Sequence, residues 1–378
     1  MQYWAEYSQI LDLIWRNSYM HFDLQLPARR LLGISLLMSA LSATPLLQAQ
    51  ATDAESAARG AWRAAMHQIS TPDTGCFHAS FPSTFWERVT CAPAPAWRSA
   101  RPRLDSRTQT LGNGNDYVAQ APSGHLISLA KGSFPKVTGV TSEKSVGVRA
   151  FGGGGILGPN EYTLQVNTNF YSGSAACLGS GCFAWQQYVM ATNTPVSLTG
   201  SKLTNDTEVF IEYWLINYGN GSQSCPSGFI NGGQDNPGID CVQNTPATLI
   251  AKGQLPITDL AGLTLSGSAT PNGTDAATVT FGGDAYTATV KDSLTDISAG
   301  WNQAEFNVVG NAGGSRADFN TGSSVTVNVA LTDGSSSAPT CVPPSSREGT
   351  TGETNNLTGK SCTVTGGSSP SIQFVQSN

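Results

Sequence analysis

From Glu161 onward the chain is a succession of short runs of alternating apolar and polar residues, each closed by Gly, Asn, Asp, Ser or Pro. Ten runs stand out: Tyr162–Asn167, Phe183–Met190, Val209–Tyr218, Thr248–Leu255, Leu263–Gly267, Ala277–Phe281, Ala285–Val290, Gln303–Val309, Ser324–Leu331 and Ile372–Val375. A period of two sends successive side chains to opposite faces of a strand, whereas a helix needs apolar residues every three or four positions. Strands with no helical signal between them must pair with one another and bury one face each. The pattern therefore predicts a mainly β fold, an antiparallel two-sheet β-sandwich. No fixed-period repeat is evident, which disfavours a propeller or solenoid.

One helix is predicted ahead of this body. Ala58, Trp62, Ala65, Met66 and Ile69 recur at helical spacing, Thr52 or Asp53 suits the N-cap, and Pro72 stops it. The stretch through Cys91, Pro93, Pro95 and Pro102 reads as loop, Lys131–Val148 as two short strands, Gly152–Gly155 as a flexible joint, and Asp333–Pro370 as a long loop. Further upstream, Arg29 and Arg30 precede the apolar run Leu31–Leu47, and Ala49-Gln50-Ala51 follows with the small residues of an export-signal cleavage site. We expect residues 1–51 to be a signal peptide, with Met20 as an alternative start. The expected location is extracytoplasmic, secreted or periplasmic, with no membrane attachment after cleavage.

All eight cysteines lie beyond that signal, at 76, 91, 177, 182, 225, 241, 341 and 362. An even set in an exported chain reads as disulfides, and the close spacing favours Cys76–Cys91, Cys177–Cys182, Cys225–Cys241 and Cys341–Cys362. A zinc site is a poor alternative, because C-x-x-C is absent and histidine is scarce.

Only 12% of residues are charged, about half the usual share, and the net charge is −6. That argues against a coiled coil, a helical bundle and a nucleic-acid partner. The charge is uneven: residues 52–150 carry 11 Lys+Arg against 7 Asp+Glu, and residues 151–378 carry 6 against 16. A basic segment can clamp an acidic body at neutral pH and loosen as carboxylates protonate. Residues 52–150 are thus read as a possible propeptide of a zymogen and 151–378 as the sandwich domain. Trp97, Arg98, Arg101, Arg103 and Arg107 either dock on the body or form a solvated linker.

Histidine occurs only at 21, 67, 78 and 125, so the body 151–378 has none. That removes a Ser-His-Asp triad and His-based metal sites from the body, and bridged cysteines remove a thiol nucleophile. P-loop, dinucleotide and G-x-S-x-G motifs are missing. No cofactor and no metal are expected. Any hydrolysis here must run on carboxylates and amides.

Alternation picks out the candidates. In Val209–Tyr218 the odd residues Val209, Ile211, Tyr213 and Leu215 suit a core, leaving Phe210, Glu212, Trp214, Ile216 and Tyr218 on the other face. A carboxylate among large rings is what a substrate cleft requires. In Trp301–Val309, Ala304, Phe306 and Val308 suit a core, while Trp301, Gln303, Glu305 and Asn307 share the opposite face. Gln186 and Gln187 are adjacent, so one points each way whatever the register. A Gln and a Glu together can hydrolyse a peptide bond: the carboxylate takes a proton from water and returns it to the leaving amine, and the amide N–H steadies the oxyanion.

The strands FAWQQYV, FIEYWLINYG and WNQAEFNVVG, the last followed by ADFNTGSSVTV, resemble in order those of the glutamic peptidases, secreted acid-acting endopeptidases. The resemblance covers about 160–330. It implies a concanavalin-like double sheet, a catalytic pair of Glu305 with Gln186 or Gln187, Glu212 as a cleft residue, and a basic propeptide. The chain departs from that family in lacking a glycine beside the Gln and in its Cys225–Cys241 loop. It also resembles a group of exported microbial proteins of no assigned function. On the peptidase reading the partner is a polypeptide and the protein a monomer. A second reading is a carbohydrate-active or carbohydrate-binding sandwich, with Trp214, Tyr218 and Trp301 stacking on sugar and Glu212 and Glu305 as an acid pair. A third is a non-catalytic exported surface module.

Overall fold

The computed structural model of the protein describes residues 44–97, 116–149, 153–197, 201–219, 223–234, 237–343 and 352–378. The export signal upstream of Thr44, the arginines from Arg98 to Arg107 and the start of the joint at Gly152 lie outside the described residues. The chain divides into Met1–Asp53 and Ala54–Asn378. The second unit is mainly β, with two large antiparallel sheets packed face to face as a sandwich.

The first sheet runs, in order, Glu87–Arg88, Gly75–Ser80, Asp284–Lys291, Thr274–Phe281, Thr264–Ser268, Leu129–Thr138, Ser324–Thr332, Ser371–Ser377 and Thr358–Thr365. The second runs Ile230–Gln234, Ile239–Asn244, Asp206–Tyr218, Phe183–Ala191, Tyr162–Thr168, Gln303–Gly310, Val118–Gln120 and Thr340–Val342, with Thr248–Lys252 also paired to Asp206–Tyr218. Each of the ten expected runs is a strand. Further strands correct the loop reading, among them the following. Gly75–Ser80 pairs with Asp284–Lys291, and Thr340–Val342 and Thr358–Thr365 fall within the expected loop Asp333–Pro370.

The inner faces form one apolar core. Leu265, Val279, Val327, Val329 and Phe374 of the first sheet meet Val166, Tyr188, Met190, Ile211 and Phe306 of the second. Two glycines bring the sheets close. A Cβ on Gly132 would lie 2.0 Å from the Phe306 ring, and one on Gly267 would lie 2.1 Å from the Tyr188 ring. Side chains there would overpack the seam.

The expected boundary at 150/151 does not separate two folded bodies. Leu129–Thr138 lies between Thr264–Ser268 and Ser324–Thr332 inside the first sheet, and Val118–Gln120 pairs with Gln303–Gly310 in the second. Excision of all of 52–150 would strip interior strands from both sheets. The charge asymmetry divides strands of the same sheets.

The helix spans Thr44–Met66, starting upstream of the expected Thr52 and running through Ala49-Gln50-Ala51. Pro45 falls in its first turn, where a missing N–H breaks no intrahelical bond. Trp62 and Met66 pack on Ala79 and Ala285 of the first sheet's outer face, and Trp62 Nε1 donates to the Ser83 carbonyl at 2.6 Å.

All four expected disulfides form: Cys76–Cys91, Cys177–Cys182, Cys225–Cys241 and Cys341–Cys362. The last ties Thr340–Val342 of the second sheet to Thr358–Thr365 at the edge of the first. Closing a loop of that size adds roughly 3 kcal/mol by restricting the unfolded chain. Among the described residues no helix is long and apolar enough to cross a membrane.

Candidate active site

Strand register decides which polar residues meet. Across the second sheet Glu212 lies opposite Gln187, Gln187 opposite Asn167, and Asn167 opposite Glu305. Their sequence neighbours Ile211, Tyr188, Val166 and Phe306 all lie in the inter-sheet core, so these four residues form one row on the outer face. The row is enclosed: Glu212, Gln187 and Asn167 are 0% exposed and Glu305 1%.

The next row along the strands holds Phe210, Val189, Gln165 and Asn307. Asn307 Nδ2 donates to Asp116 Oδ2 at 3.4 Å. On the other side lie Trp214, Trp185 and Gln303, whose Nε2 donates to Gln120 Oε1 at 2.7 Å.

Hydrogen bonds tie the row together through amides. Asn167 Nδ2 donates to Glu305 Oε2 and reaches Gln165 Oε1 at 3.4 Å. Gln187 Nε2 donates to the same Gln165 Oε1 at 3.1 Å. Trp214 Nε1 donates to Glu212 Oε1 at 2.9 Å and so orients that carboxylate. Gln187 Oε1 and Asn167 Oδ1 are buried with no hydrogen-bond partner. With neighbouring strands about 4.8 Å apart, the backbones at Gln187 and Glu305 are roughly 10 Å apart, with the Asn167 amide between them. Side chains of that length can converge on one water or one carbonyl.

The register separates the two glutamines. Gln187 shares the face of Glu305. Gln186 points into the sandwich, where Nε2 donates to Asp275 Oδ2 at 3.0 Å and Oε1 accepts from Thr295 Oγ1 at 2.8 Å. Both ends of its amide are engaged there, on the face opposite Glu305.

Two aromatic expectations are corrected. Trp301 precedes the strand, which begins at Gln303, so alternation does not yet apply. The ring lies in the central core 5.6 Å from that of Tyr188, with Nε1 donating to the Gln303 carbonyl. Tyr218 follows Asn217, whose φ of 57° is left-handed and breaks the alternation. Its ring joins Leu215, Ile239 and Cys182 instead of Trp214. Trp214 does share the face of Glu212, but is 0% exposed.

Glu212 and Glu305 are three strands apart, roughly 14 Å between backbones, with Gln187 and Asn167 between them. Sequence reasoning passed over Asn167 and Gln165. Their signal was present in Tyr162–Thr168, where Thr163, Gln165 and Asn167 alternate with Leu164 and Val166.

One end of this face is bounded by the Ala92–Trp97 segment. Ala92 exchanges backbone bonds with Ala247, and Ala96 N donates to the Pro195 carbonyl. The Trp97 ring meets Phe210 edge-on at 5.5 Å, Trp97 Nε1 donates to Asn311 Oδ1 at 2.8 Å, and Asn244 Nδ2 donates to the Pro95 and Trp97 carbonyls. Beside it, Glu161 accepts from Asn193, Gln254 and Asn311, and burial still pushes its carboxyl upward. Glu143 is pushed up to about 8 by burial, with the Glu161 and Asp318 carboxylates adding to the effect.

Among the described residues no group of three or more His, Cys, Asp or Glu is placed to hold a metal ion. Neither a protein-family model nor a curated protein matches this chain.

Proposed function

We propose that this protein is an exported, acid-acting endopeptidase that hydrolyses polypeptides with an amide and a carboxylate. The observation that carries the reading is the register that sets Gln187, Asn167 and Glu305 in one row. Glu305 takes a proton from the attacking water and delivers it to the leaving amine. The N–H groups of Gln187 and Asn167 are the candidate donors to the oxyanion. Glu212, held by Trp214, lines the substrate side. Four disulfides suit an oxidising compartment.

A row this enclosed admits substrate only after its cover moves, so the chain described is a closed precursor. Displacement of the Ala92–Trp97 segment, with the other strands of 52–150 left in place, is the opening step.

The test is digestion of casein or haemoglobin at pH 3–4, after acid incubation, by the wild type and by Glu305→Gln. Cleavage by the wild type and its loss in the variant support the reading. Equal cleavage by both removes Glu305 from the chemistry.

A further inference from the structure

The Ala92–Trp97 segment lies on the outer face of the second sheet as a bound peptide would. Pro93 and Pro95 each fix φ at about −65°, and a residue before proline is confined to extended backbone, so Ala92–Pro95 is held extended. Pro93 and Ala94 are exposed, whereas Pro95 and Trp97 are buried. Ala92 forms one antiparallel bridge with Ala247, and Asn244 Nδ2 donates to the Pro95 and Trp97 carbonyls. Cys91, just ahead, is bridged to Cys76 of Gly75–Ser80, so the segment stays attached when it leaves its seat.

The seat has a chemical preference. The Trp97 ring is 1% exposed and packs among Phe210, Val189, Ala191, Ala247, Ile156 and Ala312. Asn311 Oδ1 accepts from Trp97 Nε1 at 2.8 Å. Asn311 Nδ2 donates to Glu161 Oε2 at 3.1 Å and to the Asn193 carbonyl at 3.0 Å, which turns its oxygen toward the indole. An apolar slot with one oriented acceptor fits an indole better than a phenyl ring or an aliphatic chain. Val189 is two residues from Gln187 on the same face, roughly 7 Å along the strand. Asn244 lies opposite Glu212 and so extends the row of Glu212, Gln187, Asn167 and Glu305 by one strand. Its Oδ1 is buried with no hydrogen-bond partner among the described residues. An extended residue presents its N–H and C=O to the same side, but Pro95, whose carbonyl Asn244 holds, has no N–H to give. A different residue there would complete a two-bond pair, so the segment fills the seat less well than a polypeptide without that proline.

We propose that this seat is a substrate subsite that takes an extended polypeptide by a tryptophan side chain, and that Ala92–Trp97 is a tethered stand-in for that substrate. The inference rests on the peptidase reading for the fate of the bound chain, but not for the binding itself. A tryptophan in the slot with its carbonyl on Asn244 sets the backbone beside Glu212, at one end of the row. Cleavage then falls at a fixed distance from the tryptophan.

The experiment empties the slot in the full chain by Trp97→Ala and titrates it at neutral pH with the peptide acetyl-Ala-Pro-Ala-Pro-Ala-Trp-amide, read by calorimetry. The peptide should bind Trp97→Ala, and should bind the wild type about tenfold or more weakly because the tethered copy competes. Phe in place of the peptide's Trp should weaken binding about tenfold, since the Asn311 acceptor is then left unpaired. Ala in place of its second Pro should tighten binding about threefold or more by supplying the N–H that Asn244 Oδ1 lacks. A folded Trp97→Ala chain that binds no peptide, or binds versions ending in Trp and in Ala equally, overturns the proposal. If Trp97→Ala does not fold, Trp97→Phe takes its place: it keeps most of the packing and should admit the peptide about tenfold more readily than the wild type, and equal binding to both overturns the proposal. Peptide binding without casein cleavage at pH 3–4 would reject the peptidase chemistry and leave the slot standing as a peptide-binding site. Cleavage without peptide binding would reject the slot and leave the chemistry standing.

Discussion

The two outer faces of the sandwich solve the same problem in opposite ways. On the first sheet, Lys131, Ser266, Thr278 and Thr287 stand in one row across neighbouring strands. The polar groups of Ser266, Thr278 and Thr287 are small and engaged locally: Thr278 Oγ1 donates to Thr287 Oγ1 at 2.9 Å, and His67 from the end of the helix contacts Ser266 Oγ at 2.7 Å and Thr280 Oγ1 at 3.2 Å. On the second sheet, Glu212, Gln187, Asn167 and Glu305 bring longer side chains, and buried amide oxygens stay unpartnered. A buried acceptor without a donor costs about 1–3 kcal/mol. The first face is arranged for stability. The second holds groups that stability alone would replace with apolar ones, as the proposed peptidase chemistry requires of its face.

Activity should break the comparison most visibly. Glu305→Gln should lower acid proteolysis by about 100-fold or more, the usual contribution of a positioned acid–base group. Asn328→Ala, on the first sheet's outer face opposite Ser133, should leave it unchanged. Rates on casein at pH 3–4, with circular dichroism to verify folding, check both. Equal effects would erase the distinction between the faces.

Much of this contrast was legible in the sequence. The ten alternating runs match strands because each buries one face, and that forces a period of two. Gly75–Ser80 was missed because Gly, Cys and His interrupt its alternation. Thr358–Thr365 was missed because an edge strand that is mostly exposed has no apolar face to read. Alternation put Glu212 and Glu305 each on the non-core face of its own strand, but their meeting on one face and the choice of Gln187 over Gln186 required register, which depends on distant partners. Trp301 and Tyr218 failed where the backbone leaves the pleat, at a strand start and at a left-handed Asn217. The boundary at 150 failed because charge says little about which strands pair.

The second difference is the response to pH. The first face buries a base: burial, helped by the Lys131 charge, holds His67 down at about 3. Its native state binds fewer protons than the unfolded chain, so its contribution is lost as pH falls from about 6.5 toward 3. Near the end of the second face the buried groups are acids, with Glu143 at about 8 and Glu161 and Glu208 also raised by burial. For a raised acid the contribution is present below the unfolded value of 4.5 and lost as pH rises through about 8. At about 1.36 kcal/mol per unit, Glu143 alone carries at most ~5 kcal/mol between these limits. Glu143→Gln should flatten the alkaline decline in melting temperature and leave the acid side untouched, and His67→Gln should do the reverse. Thermal melts from pH 3 to 9 separate them, and matching curves would show that neither burial governs stability.

Where the faces turn inward the two sheets should behave alike. Gly132→Ala and Gly267→Ala each force a methyl into an aromatic ring of the opposite sheet, Phe306 or Tyr188. Overpacking of this kind costs about 1–3 kcal/mol, and little room for relaxation puts both near the upper end. Urea denaturation should show a lower midpoint with an unchanged slope. A neutral result would mean that the sheets separate easily, and the row on the second sheet would then lack the rigid base that catalysis requires.

The sharpest comparison is the smallest in energy. Gln187→Leu removes a buried amide whose Oε1 has no partner, and Gln165 Oε1 keeps its contact with Asn167 Nδ2. Filling that volume with an apolar side chain should leave stability unchanged or raise it by about 1 kcal/mol, while proteolysis is lost. Thr278→Val is its counterpart on the first sheet. It breaks the bond to Thr287 and should lower stability by about 0.5 kcal/mol, with proteolysis intact. Opposite signs in stability and in activity, read from paired urea titrations and casein assays, are expected only if one polar face serves folding and the other serves chemistry. A Gln187→Leu variant that is both less stable and fully active would make Gln187 a structural bridge and leave Asn167 as the remaining amide beside Glu305.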